Sequence, residues 1–151
     1  MLEKHRDLPK LNFNQIIDHI YVGTNMCCQT HFRKELLDQG ILADFSLEEE
    51  RLDAPFGVKF FFWLPTKDHT PPTQTQFQMG VDILKKCAEL DLKVYVHCKN
   101  GHGRAPTMVA AYLISQGKTV KEALELIREK RSVIHLENSQ VEALEEFAVN
   151  F

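Results

Sequence analysis

The sequence predicts an α/β domain, with a mainly parallel central sheet of four to five strands flanked by helices. Three observations predict it. Short apolar runs rich in β-branched and aromatic residues alternate with segments whose apolar residues recur at helical spacing. The composition is ordinary for a globular chain, 44% hydrophobic and 26% charged. A length of 151 residues suits one compact domain spanning 1–151.

The elements follow in order. Residues 19–22, His-Ile-Tyr-Val, read as a short strand stopped by Gly23. Residues 31–39 read as a helix, with Phe32, Leu36 and Leu37 at helical spacing and Gly40 as its stop. Residues 41–47 form the next strand, and the acidic run Glu48-Glu49-Glu50-Arg51 after it reads as a solvated turn or helix start. Residues 58–64 are apolar apart from Lys59, as a strand covered on both faces would be, which puts Phe60, Phe61, Phe62 and Trp63 in the core. A loop with three prolines, Pro65, Pro71 and Pro72, separates this strand from a long helix over 73–90. That helix carries Phe77, Val81, Leu84 and Ala88 on one stripe, and Met79 is assigned to the core beside Phe77. Residues 92–96 are the last strand, and helices over about 105–116, 120–131 and 139–151 close the chain.

Composition excludes several functions. The formal net charge is −3, which argues against nonspecific nucleic-acid binding. The longest apolar run is strand-sized, far below the roughly 20 residues of a membrane span. The opening residues 1–7 are too charged for a signal-peptide apolar region. The four cysteines, at 27, 28, 87 and 98, show no CxxC pairing, so neither a disulfide scaffold nor a zinc site is expected. Reduced thiols in a cytoplasmic setting are the expectation, with Cys27, Cys28 and Cys87 as small buried hydrophobes.

The chemistry is expected where the last strand meets the next helix, at Val96-His97-Cys98-Lys99-Asn100-Gly101-His102-Gly103-Arg104-Ala105-Pro106. Glycines at 101 and 103 let Lys99, Asn100, Gly101, His102, Gly103 and Arg104 turn their N–H groups toward one anion. The helix start adds partial positive charge there, and Pro106 suits a first helical turn. Cys98 then stands in the mouth of an anion cradle that favours its thiolate. Arg104 supplies a planar fork for two phosphate oxygens. His97 points away from Cys98, because adjacent strand residues face opposite ways, and it supports the loop through a hydrogen bond. The segment lacks the Gly-Lys-Ser/Thr of a Walker A loop, and Pro106 replaces the third glycine of a dinucleotide fingerprint.

His-Cys-x-x-Gly-x-x-Arg, here His97, Cys98, Gly101 and Arg104, resembles the signature of the cysteine-dependent protein tyrosine phosphatases. The short chain and the late motif resemble the dual-specificity branch, over about residues 14–151. The resemblance implies a phosphatase-like fold and a cysteinyl-phosphate intermediate. It also implies a general acid on a separate loop, a place that Asp68 matches thirty positions before Cys98. The other reading of Asp68 is an Asx-turn residue without a catalytic role. Asp44 and Asp53 are weaker candidates for the acid, lying in a strand and in the acidic turn.

One departure is Ala105, which stands where most members carry Ser or Thr; the Arg-Ala-Pro run is similar to that of some plant glucan phosphatases. No metal and no cofactor are implied, because the thiolate and the cradle supply the chemistry. The implied substrate is a phosphorylated protein, on tyrosine with serine and threonine also possible. A phosphoinositide or phosphoglucan is the alternative, and a catalytically weak phosphate-binding module is a third reading. Lys99 and His102 make the loop somewhat basic, or else simply face solvent. Gln140 falls where related enzymes keep a polar residue near the pocket, while Asn138 and Ser139 are candidate N-caps. A disulfide from Cys27, Cys28 or Cys87 to Cys98 would protect the nucleophile.

Overall fold

The computed structural model describes residues 10–151; the charged opening stretch, 1–7, lies outside the described residues. Five strands form one sheet: β1 (Phe13–Ile17), β2 (Ile20–Gly23), β3 (Ile41–Glu48), β4 (Phe60–Thr66) and β5 (Lys93–His97). Their order is β1-β2-β5-β3-β4, with β1 antiparallel to β2 and every other pairing parallel. The helices are α1 (Lys34–Asp38), α2 (Gln74–Glu89), α3 (Arg104–Ser115), α4 (Val120–Lys130) and α5 (Asn138–Asn150). The predicted α/β class is thus observed.

β5 is the central strand, held by β2 on one side and β3 on the other. Its side chains alternate between two cores. Val94 and Val96 join the larger core with Phe45, Phe77, Met108 and Leu144. Tyr95 joins the smaller core with Tyr21, Cys28, Phe32 and Leu36. α3 is buried along its whole inner length, every residue from 104 to 114, because it is encased by α2, α4 and α5. An all-round apolar helix belongs in such a place. Its first turn begins directly after the chain leaves the C-terminal end of β5, where open parallel sheets form their binding crevices.

Capping sets the helix starts. Thr73 and Gln76 form a capping box at α2, and Thr119 and Glu122 form another at α4. At α5 the N-cap is Glu137, boxed with Gln140, so Asn138 and Ser139 lie inside the helix and are not its caps.

Four further expectations are corrected. β1 was not predicted, because its short run Phe-Asn-Gln-Ile-Ile is polar at the centre and sits on the sheet edge. β4 is the opposite edge, so Phe60, Phe61 and Trp63 are exposed, not covered on both faces. Met79 is also exposed, whereas Phe77 is fully buried. Cys27 and Cys28 are buried as expected but are bonded to each other, so neither is a free thiol. Among the described residues no helix is long and apolar enough to cross a membrane.

Candidate active site

The loop between β5 and α3 is braced from three directions. Gly101 has φ +70°, and a Cβ there would stand 2.7 Å from the Gly23 carbonyl oxygen, so only glycine fits the turn without strain. From below, Arg131 is 1% exposed and saturates the outward-turned carbonyls. Its Nε donates to Gly101 O at 2.9 Å, and its Nη2 to Asn100 O at 2.9 Å. Its Nη1 donates to the side-chain oxygens of Asn12 and Asn14, at 2.7 and 2.9 Å. With these carbonyls held outward, the loop's N–H groups are left for the inner side.

Behind the loop, His97 is fully buried on the face of β5 opposite Cys98, as the strand alternation predicts. Its Nδ1 lies 3.3 Å from Cys98 O, which supplies the expected loop contact. Its Nε2 lies between Asp53 Oδ2 at 2.7 Å and Asp44 Oδ1 at 2.8 Å. Burial disfavours the imidazolium, but these two carboxylates outweigh it and raise the His97 pKa well above its ordinary value. Burial pushes the Asp44 carboxyl up to about 7 against the pull of His97. Asp53 is held below the usual carboxylate range, since hydrogen bonds with His97 and Asp44 overcome its own burial. Asp44 and Asp53 therefore sit behind the loop and not at its mouth.

In front, Cys98 is 3% exposed and lines a cleft of about 240 Å³. The cleft is walled by Asp68, His69, Lys99, Asn100, His102, Gly103, Arg104, His135, Glu137 and Gln140. Arg104 is 2% exposed and is aimed by Glu50 through two bonds, Nη1 to Oε1 at 2.8 Å and Nη2 to Oε2 at 3.0 Å. Nη1 also donates to Thr66 O at 2.9 Å. Its Nε is buried and has no partner among the described residues, which leaves a donor for a bound oxyanion. The Glu50 pairing holds that carboxyl below its usual range. The acidic run thus starts inside β3 with buried Glu48, and Glu49 and Glu50 follow in an exposed bend, from which Glu50 braces the clamp.

Asp68 is half-exposed, with Oδ1 3.4 Å from Arg104 Nη2 across the opening. The same oxygen accepts the His69 N–H at 2.9 Å, so the turn-forming contact and the cleft position coexist. Gln140 is buried and reaches Thr70 O with its Nε2 at 3.2 Å, tying α5 to the Asp68 loop. Lys99 is exposed and His102 half-buried. Burial, with help from Arg131 and His135, lowers the His102 pKa, so this residue adds little positive charge near neutrality. Cys87 lies in the apolar core, where burial pushes its thiol up to about 11. It is free, Cys98 is free, and no disulfide joins Cys98 to another cysteine.

A family model described as "Dual specificity phosphatase, catalytic domain" matches residues 20–150. The chain belongs to this family. It is 45% identical over 147 residues to the rat "Phosphatidylglycerophosphatase and protein-tyrosine phosphatase 1", covering 87% of this chain and 74% of that protein. The human protein of the same name is 45% identical over 86 residues, 56% of this chain and 43% of its length. This chain thus aligns with less than half of the human relative. A crystal structure of PTPMT1 superposes with a TM-score of 0.78 at 31% identity, covering 92% of this chain and 95% of that one. Human DUSP28 superposes with a TM-score of 0.82 at 13% identity, covering 91% and 96%, a likeness of fold alone.

Cys98, Arg104 and Asp68, the three residues singled out in the sequence, line one cleft of the dual-specificity phosphatase domain. Glu50 and Arg131 were not predicted. Each lies far from the motif in sequence, and nothing in a run of charged residues signals which one turns inward. Ala105 is fully buried and offers no hydroxyl to the loop.

Proposed function

We propose that this phosphatase domain hydrolyses phosphomonoesters through a cysteinyl-phosphate intermediate. The observation that carries the reading is the convergence on one cleft of a sulfur, a doubly braced guanidinium with a free N–H, and a carboxyl across the opening. Loop N–H groups and Arg104 bind the phosphoryl oxygens and stabilise the charge that develops on them. The Cys98 thiolate attacks phosphorus in line as the P–O bond to the leaving group breaks. Asp68 gives its proton to the departing alkoxide or phenolate. As a carboxylate it then takes a proton from water, which attacks phosphorus and releases phosphate and the Cys98 thiolate. Without a hydroxyl at Ala105, the departing thiolate has one donor fewer, so this second step limits turnover.

The substrates proposed are phosphotyrosine proteins, with serine and threonine phosphates admitted by the open cleft. A second reading, a lipid-borne headgroup phosphate, is favoured by the cleft lining, which among the described residues contains no apolar or aromatic hydrocarbon side chain to clasp a phenyl ring. The relatives' names support it, since they join phosphatidylglycerophosphatase with protein-tyrosine phosphatase, and PTPMT1 has been crystallised with PI(5)P.

The test is hydrolysis of an aryl phosphate, a phosphotyrosine peptide and phosphoinositide vesicles. Cys98→Ser loses on the order of 10⁴-fold or more, and Asp68→Asn slows alkyl phosphates more than aryl ones. Pre-steady-state traces show a burst of one product per enzyme. Equal slowing of both leaving groups would reassign the acid, and a linear trace would reject slow dephosphorylation.

A further inference from the structure

We propose that Cys28, Asp44, Asp53 and His97, with Cys27 beside them, form an internal binding site for one zinc-type divalent cation whenever the cysteine pair is reduced. The site stands behind the catalytic loop, on the opposite face of β5 from the cleft, and is independent of the substrate reading. All five residues are buried, and one potential ligand atom from each lies within 4.8 Å of all the others. Such a concentration of sulfur, imidazole and carboxylate donors in an interior costs desolvation energy that some partner must offset.

The resident groups, the His97 ring and Arg51, offset it for Asp53 but not for Asp44. Nε2 of His97 carries at most one hydrogen, and Asp53 Oδ2 takes it at 2.7 Å. Asp44 Oδ1 lies 2.8 Å from the same nitrogen, yet both Asp44 oxygens are buried and lack a hydrogen-bond donor among the described residues. Arg51 reaches Asp53 Oδ1 at 3.3 Å and Cys28 Sγ at 3.9 Å, but it makes no bond to Asp44. Asp44 therefore lacks an electropositive partner of its own among the described residues. Either a proton shared between Asp44 and Asp53 or a cation fills that place.

The geometry around His97 favours a cation. A histidine that binds metal through one ring nitrogen donates the other N–H to a carbonyl or carboxylate. Here Nδ1 faces the Cys98 carbonyl oxygen at 3.3 Å, so a cation that displaces the Nε2 proton meets a lone pair pointing toward Cys28 and the carboxylates. Nε2 and Cys28 Sγ are 3.5 Å apart, close to the roughly 3.6 Å edge set by ordinary Zn–N and Zn–S lengths in a tetrahedron. The two carboxylate oxygens would retreat from Nε2 by about 0.6–0.7 Å to reach the corresponding N···O edge. Mixed sulfur, nitrogen and oxygen donors select zinc over magnesium or calcium, which take oxygen alone.

The Cys27–Cys28 bond governs access, since a disulfide offers no thiolate. A dithiol reductant supplies two electrons and two protons, breaks the S–S bond and leaves as its own disulfide. Each thiol that then binds the cation releases its proton to solvent, and so does Nε2 of His97. A cation held there would fix His97, and through the Cys98 carbonyl the first turn of the catalytic loop.

The experiment uses the full chain carrying Cys98→Ser, so that the nucleophile supplies no sulfur. The protein is stripped with a chelator, reduced or left oxidised, mixed with zinc chloride, desalted and assayed for metal by mass spectrometry. Expected are one zinc per reduced chain with a raised Tm, and none per oxidised chain. The added substitutions Cys28→Ser or Asp44→Asn should abolish stoichiometric zinc. Because these variants test a buried site, cobalt(II) is also added to the reduced Cys98→Ser chain with no further substitution, where a sulfur-to-cobalt absorption band is expected. No zinc on the reduced chain, equal zinc on the oxidised one, zinc retained by a folded Cys28→Ser protein, or no cobalt–sulfur band would each overturn the proposal.

Discussion

Two arginines press on the same loop from opposite sides, and both are almost fully buried, Arg104 at 2% and Arg131 at 1% exposure. Arg131 spends its donors on protein oxygens, two loop carbonyls and two asparagine side chains. Arg104 is held by Glu50 and Thr66 O but keeps its buried Nε unpartnered. A buried donor with no partner is a cost to folding, whereas a saturated guanidinium is a structural tie. The difference teaches which cation belongs to the scaffold and which is reserved for the ligand.

Substitutions should separate the two roles. The largest effect on folding is expected for Arg131→Met, which leaves four oxygens without their donors and costs about 3–5 kcal/mol. Urea denaturation measures it, and unchanged stability would remove the scaffold role. Arg104→Lys keeps a charge beside Glu50 but loses the fork. It should lower kcat/KM about 100-fold, with a smaller drop in Tm than Arg131→Met. If the two variants lose stability and activity in the same proportion, the division between them fails.

Gly101→Ala tests the loop that both arginines hold. The φ of +70° and the 2.7 Å approach to Gly23 O should cost about 1–3 kcal/mol, with activity falling alongside. The smallest effect concerns Glu50. Its pKa is depressed in the folded protein, chiefly by the Arg104 hydrogen bond, so its contribution is complete above the ordinary carboxylate pKa. That contribution fades as pH falls through the folded value. The Tm gap between wild type and Glu50→Gln should therefore shrink from about pH 6 to about pH 3; a constant gap would detach Glu50 from the clamp.

The legible parts of the site are those that are contiguous in the chain. Residues 97–104 run from strand to loop to helix, so spacing alone placed Cys98, His97 and Arg104 relative to one another. Asp68 was reachable only through the family resemblance, which implies an acid on a separate loop before the motif. Glu50 and Arg131 lie 54 and 30 positions or more from the groups they hold, and only the packed sheet and helices bring them in. The same limit applied to β4. A run such as Phe-Phe-Phe-Trp looks alike at the centre or the rim of a sheet, and β4 has no neighbour beyond it among the described residues, which leaves Phe60, Phe61 and Trp63 in contact with water. His97 was oriented correctly by strand alternation, but its carboxylate partners come from β3 and the loop after it, beyond the reach of local pattern.

The helix that begins with Arg104 is enclosed along 104–114, while the cleft wall is assembled from separate pieces, Asp68 and His69 before α2, His135 before α5, and Gln140 within it. Evolution can therefore redraft the wall piece by piece while the foundation stays fixed. A library randomised at His69 and His135 should yield altered substrate preference in folded protein, whereas the same diversity inside the enclosed helix should yield mostly insoluble chains.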